Sequence, residues 1–304
     1  MSLLTHFACY CALAAVLLFS ALDSHGANLV RTNLAGGDWN TAANWSPSQV
    51  PGASDTAWIT NSGTYTVTVT TGSTATNVVV GAVSGAQTLN LSGGTLVLGR
   101  TATLGTNGTF LLTGGTIHGG TVVATNGASL AIIGGTLDGV TVNGTLEVGN
   151  SYNGANLTVA NGLVLNGTAL VGNPTNGWIG SIGFAGSQTL SGNGTVVFGN
   201  HPNNTLFLAN AGTTLTNGAG ITIRGQTGTI GYGGAPNVAV INQGTISADV
   251  SGGTITVNAQ SFNNQGLAQG INGGTLSLLG AWSNSGTLVE SYGALSLAPV
   301  YELA

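Results

Sequence analysis

The sequence predicts an all-β protein built as a β-solenoid with about 20 residues per coil and a tryptophan-rich N-terminal cap. Three observations point there: a composition that disfavours helices, glycine turns that feed short strands, and the return of both at a steady period.

Only 4% of the 304 residues are charged, 52 are glycine, and lysine is absent. An ordinary globular chain carries about 25% charged residues, so threonine, serine and asparagine must keep this surface wet. Those side chains suit strands and turns, because they compete for backbone hydrogen bonds or are stiff at χ1, and they serve helices poorly. Mean hydropathy is +0.35, net charge −5 and the isoelectric point near 4.9. A nucleic-acid partner would need a basic stripe to displace counterions from phosphates, which three arginines cannot supply. The same shortage removes the usual attraction to anionic lipid.

Residues 1–26 read as a secretory signal, with an apolar run from Phe7 to Leu22 and a small-residue exit at Ser24-His25-Gly26. A transmembrane anchor is the alternative, although the run falls short of the usual ~20 residues. Both cysteines, Cys9 and Cys11, lie in this segment and in no acylation box, so the exported chain is expected to be free of disulfides and lipid.

Sixteen Gly-Thr dipeptides punctuate the chain, most of them followed by aliphatic residues as in Gly94-Thr95-Leu96-Val97-Leu98. Each reads as a turn feeding a strand. The segments Gly93-Gly94-Thr95-Leu96, Gly114-Gly115-Thr116-Ile117 and Gly134-Gly135-Thr136-Leu137 follow one another at offsets of 21 and 20. Interleaved Asn-Gly turns at Asn107, Asn126, Asn143 and Asn161 keep a similar period, and the two series together predict two strands per coil. Near the C-terminus Asn242-Gln243-Gly244, Asn264-Gln265-Gly266 and Asn284-Ser285-Gly286 recur at offsets of 22 and 20. Such a period is the mark of a solenoid, whose coils bury their apolar faces only by stacking. Stacked rungs stand ~4.8 Å apart, so Asn242, Asn264 and Asn284 are expected to form an amide ladder. N-glycosylation at sequons such as Asn107-Gly108-Thr109 is the functional alternative for these asparagines. Between Gly149 and Gly234 the period blurs, which we read as the same solenoid with longer loops around Pro174 and Pro202. The expected organisation is a signal at 1–26, a capping segment at 27–70 and one continuous solenoid at 71–304.

The block from 36 to 69 gathers Trp39, Trp45 and Trp58 with Asp38, Asp55, Pro47 and Pro51. A solenoid's first coil exposes unpaired edges and an open core, and three tryptophans suit the task of closing it. A glycan-stacking platform is the other use of those rings. Here the run Gly37-Asp38-Trp39, Asn44-Trp45, Pro51, Asp55-Thr56-Ala57-Trp58-Ile59 and Tyr65-Thr66-Val67-Thr68-Val69 resembles the opening of bacterial secreted β-strand-repeat proteins, akin to autotransporter passengers and filamentous-haemagglutinin-like adhesins. The Asn-Gln-Gly-Thr-Ile and Gly-Gly-Thr-Leu repeats, with Ile221-Thr222-Ile223-Arg224-Gly225, are similar to the same group. The resemblance implies a right-handed parallel β-helix at or outside the cell surface, serving adhesion or surface structure. Larger members continue into a membrane barrel or anchor; after Tyr301-Glu302-Leu303-Ala304 none follows, and the chain is read as a fragment of a longer protein.

No nucleotide-binding glycine fingerprint, nucleophile elbow, zinc helix or EF-hand loop occurs, and the aspartates are too sparse for calcium-binding nonapeptides, so neither cofactor nor metal is expected. One constellation could carry chemistry. Aligning the three Gly-Gly-Thr copies sets Val97, His118 and Asp138 at one point of successive coils, with Arg100 and Glu147 as possible neighbours. A histidine beside a carboxylate can act as a general base, as a pectate-lyase-like β-helix would require. A solvated surface pair is the plainer reading. The sequence therefore predicts an exported structural or adhesin-like rod without catalytic activity. Its possible partners are glycans or cell-surface components, with no nucleic acid and no membrane insertion. A polysaccharide-active β-helix using His118 and Asp138 is the alternative.

Overall fold

A computed structural model describes residues 26–298, so nearly all of the segment read as a secretory signal, with its two cysteines, and the last six residues lie outside it. The chain winds into a parallel β-solenoid of about 11 turns, each of about 22 residues. One 3-10 turn at Ala42–Asn44 is the sole helical element among the described residues. None of their helices is long and apolar enough to cross a membrane.

Each turn carries three strands, not the two read from the interleaved motifs. The strand Gly134–Val148 makes the reason plain, because it passes through two corners without leaving β conformation. Its start pairs with Thr116–His118, its middle with Thr121–Ala124 and its end with Ser129–Ile132. Ala155–Val171 does the same one turn later. The face between the other two also opens on glycines, such as Gly120, Gly139 and Gly162, but these follow the start of the preceding strand so closely that sequence spacing alone merges the two strands. The period is also longer than 20 where loops intervene: Thr168 pairs with Thr195 and Thr195 with Thr222, each 27 residues on.

Alternation along every strand sends one side chain inward and the next outward. On the first face the inward column runs Val67, Leu89, Phe110, Leu130, Leu146, Ala169, Val196, Ile223, Ile246 and Ala268, all buried. The outward column beside it is Thr66, Thr88, Thr109, Ser129, Thr145, Thr168, Thr195, Thr222, Thr245, Leu267 and Thr287. That column accounts for Gly-Thr dipeptides such as Gly144-Thr145 and Gly167-Thr168, while Gly94-Thr95, Gly115-Thr116 and Gly135-Thr136 open the second face. A β carbon on Gly167 would stand 2.1 Å from the Gly144 carbonyl oxygen, and one on Gly266 would stand 2.1 Å from that of Gly244. At such rungs the corner admits only glycine, and the β-branched residue that follows starts the next strand, whereas Tyr65, Gln87, Ala128 and Ile221 hold the equivalent position elsewhere.

At the N-terminal end Asn28–Arg31 pairs in parallel with Thr56–Ile59 and carries Trp45–Ser46 antiparallel on its other edge. The Trp39 and Trp45 rings, both buried, meet edge to face with centroids 5.0 Å apart. The Trp45 indole N–H donates to the Trp39 carbonyl at 2.8 Å. Arg31 is fully buried beside them, its carbon Cζ 5.3 Å from the Trp45 ring centroid. Its guanidinium donates to the Gly36 and Asp38 carbonyls at 2.7 and 3.0 Å. Burial pulls the Arg31 pKa below its usual value, the cost of a cation held mainly by carbonyl dipoles.

Candidate functional site

His118 and Asp138 stand outward on the second face, on adjacent rungs. The backbone sets His118 between Val97 and Asp138, and the strand Ala155–Val171 then sets Ala160 beyond Asp138. His118 Nδ1 lies 2.8 Å from Asp138 Oδ2, with the His118 side chain 52% exposed and that of Asp138 22%. The Asn161 amide donates to the other carboxylate oxygen, Oδ1, at 2.5 Å. The Asp138 carboxyl is held below the usual carboxylate range, first by the Asn161 bond and then by His118, against a small opposing effect of burial. Both oxygens are thus engaged, and the carboxylate fixes one imidazole nitrogen while the other makes no hydrogen bond among the described residues.

Arg100 and Glu147 do not complete a site around this pair. Arg100 is exposed on the strand Thr95–Leu104 and makes no ion pair among the described residues. Glu147 lies on the first face, where Ala131 is its partner residue, and accepts hydrogen bonds from Asn150 and Ser151. Along the rod the pair is bracketed by the aliphatic Val97 and by Ala160. The other ion pair, Arg224 Nε to Asp249 Oδ2 at 2.6 Å, sits several turns away. No cluster of three or more histidine, cysteine or acidic residues able to hold a metal occurs among the described residues.

The tryptophans divide. Trp39 and Trp45 are 0% and 2% exposed and offer no ring face to a sugar. Trp58 is half-buried, and its indole N–H donates to Asn28 Oδ1 at 3.1 Å.

The amides of Asn242, Asn264 and Asn284 are bonded in series: Asn242 Nδ2 donates to Asn264 Oδ1 at 2.7 Å, and Asn264 Nδ2 to Asn284 Oδ1 at 2.6 Å. The ladder has a fourth member that the sequence reading missed. Asn217 Nδ2 donates to Asn242 Oδ1 at 2.8 Å. Its offset of 25 from Asn242 hid it, although Asn217-Gly218 carries the same amide-then-glycine signal. The second hydrogens of Asn242 and Asn264 reach the Leu267 and Thr287 carbonyls at 2.9 and 3.0 Å, so the ladder also ties the corner backbone of the next rung. Asn107, at a candidate sequon, is held by a bond from its amide to the Ala82 carbonyl at 3.1 Å and adopts a φ of +62°.

Compared with protein-family models, curated proteins and solved structures, the chain matches none.

Proposed function

We propose that this chain is an exported, non-catalytic rod at the cell surface, structural or adhesive in role, as the secreted β-strand-repeat proteins it resembles would imply. One observation carries the reading: a hydroxyl column that runs along the first face from Thr66 to Thr287, broken by Leu267 alone. A surface that repeats one neutral group at every rung suits many weak contacts with an extended partner better than a single catalytic centre. The N-terminal tryptophan and arginine block serves as its cap, a reading supported by Trp45–Ser46 pairing along the edge of Asn28–Arg31 and by the burial of Trp39 and Trp45 in the core cluster. Fractionation of cells that express the full chain tests the localisation. Protein accessible to external protease is expected, and retention in the cytoplasm of a variant lacking residues 1–26 completes the result; cytoplasmic wild-type protein overturns the reading.

A polysaccharide-active β-helix is the second reading, favoured by the 2.8 Å contact between His118 and Asp138. It expects turnover of a soluble polysaccharide that disappears in His118→Ala. The rod reading expects no turnover by either protein.

A further inference from the structure

A groove of about 480 Å³ runs along the second face between the rungs of Asn156 and Asn258. The groove is shallow and open along its length, which suits an extended chain better than an enclosed small molecule. Its floor is an outward column of short polar side chains, Asn156, Ser181, Thr205 and Thr229, one per rung. Rungs ~4.8 Å apart place successive hydroxyls at a distance comparable to the length of one pyranose unit.

Beside that column lies Phe207, and its setting is unusual. Its partners on the rungs before and after are Gly183 and Gly231. With no side chain on either, the ring lies down along the rod: a β carbon on Gly183 would come within 2.5 to 2.9 Å of three of its atoms. The half-buried ring forms an aromatic shelf on the glycine backbone. Tyr232, 45% exposed, stands at the same groove, and its hydroxyl makes no hydrogen bond among the described residues.

The groove contains no carboxylate and no cation. Anionic ligands, whether phosphoryl groups, nucleic acids or uronates, would find nothing to neutralise them. A peptide adding as a strand is excluded as well, because the backbone here is paired on both sides and offers no free edge. Aromatic surface for the C–H face of a sugar ring, with hydroxyls and amides that both donate and accept, matches a neutral polyol.

We propose that this groove binds a neutral polysaccharide strand lying parallel to the rod axis, with Phe207 and Tyr232 as stacking surfaces and Ser181, Thr205, Thr229 and Asn258 as hydrogen-bonding groups. The inference rests on the reading of the chain as an adhesive rod and names the ligand class and place. Affinity electrophoresis of the purified full chain in gels containing a soluble β-glucan, xyloglucan or dextran, with polygalacturonate as the acidic control, tests it. Retardation by at least one neutral polymer and not by polygalacturonate is expected. Tyr232→Ala, a surface change that leaves the core intact, should weaken retention about tenfold. Phe207→Ala should do the same, and Tyr292→Ala, at a fully solvated tyrosine outside the groove, should have no effect. Absence of retardation by all three neutral polymers, equal retention by polygalacturonate, or unchanged retention of Tyr232→Ala overturns the proposal. The rod reading is judged separately by where the protein resides in cells, so the two can fail independently.

Discussion

From Val140 through Leu163 to Leu190 the column at one corner of the solenoid is aliphatic, whereas from Asn217 through Asn242 and Asn264 to Asn284 the same column is an amide ladder. Both halves stack equivalent positions of successive turns, and all but Asn284 are buried. They differ in what binds one rung to the next. From Val140 the steps to Leu163, Leu190 and Asn217 are 23, 27 and 27 residues, and the amide steps that follow shorten to 25, 22 and 20. Dispersion contacts are non-directional and tolerate the looser turns. A chain of amides accepts and donates along one line and holds the register closely. The junction shows the cost of mixing the two: Asn217 Oδ1 is buried with no donor, because the rung before it is Leu190.

The largest effect should come from planting an amide inside the aliphatic half. Leu163→Asn sets a buried amide between Val140 and Leu190, where neither neighbour can pair with it, and should destabilise the rod by about 3–5 kcal/mol. The thermal midpoint, read with hydrogen-exchange protection of the adjacent turns, checks this; a change under ~1 kcal/mol would break the distinction between the halves.

The reverse change, Asn242→Leu, strips Asn217 of its acceptor and Asn264 of its donor, so a loss of about 2–4 kcal/mol is expected, concentrated in the turns from 217 to 284. Uniform loss of exchange protection along the rod would contradict the local role of the ladder. Leu190→Asn sharpens the comparison further. The new amide can donate to the orphaned Asn217 oxygen, so this variant should be less damaging than Leu163→Asn by about 1–3 kcal/mol, the cost of a buried unsatisfied acceptor. Equal midpoints for the two would show that the junction carries no such cost.

The smallest effect belongs to the surface version of the same device, the Asn161 bond to Asp138 with His118 on the other oxygen. Because these partners depress the folded-state pKa of Asp138, the stability they contribute is present above the ordinary carboxylate value of ~3.9 and is lost as the pH falls through the lower folded value. Wild type should therefore lose a little more of its midpoint than Asp138→Asn between pH 5 and 2, roughly the span of ordinary and depressed carboxylate pKa values. Parallel curves would remove the pair from any account of stability.

Much of the solenoid was legible because its turns repeat short, chemically constrained words. The three Gly-Gly-Thr copies pair in the register their spacing suggests, with Thr95, Thr116 and Thr136 on consecutive rungs. The third strand of each turn was not legible, since the glycines that announce Thr101–Leu104, Thr121–Ala124 and Val140–Asn143, namely Gly99, Gly119-Gly120 and Gly139, fall only three or four residues after Thr95, Thr116 and Thr136 and read as part of one segment. Of the site, the His118 and Asp138 neighbourhood followed from register, whereas the placement of Arg100 and Glu147 depended on which face each strand joins. The groove around Phe207 draws on five rungs of the irregular middle region, where Gly183 and Gly231 matter by having no side chain. An absence of that kind leaves no motif.

The direction of the pairing has a mechanical consequence. About 11 rungs at ~4.8 Å give a rod only ~50 Å long, so the chain is stored crosswise to its own axis. A load applied end to end pulls on the backbone bonds of one rung at a time and peels the outermost turn while the rest stays wound. Each released turn of about 22 residues pays out ~70 Å of slack. Stretching a single molecule should give a sawtooth at that spacing, and one abrupt extension of the whole would contradict it. Tethered to a moving surface, such a rod would lengthen in steps under tension instead of breaking its hold.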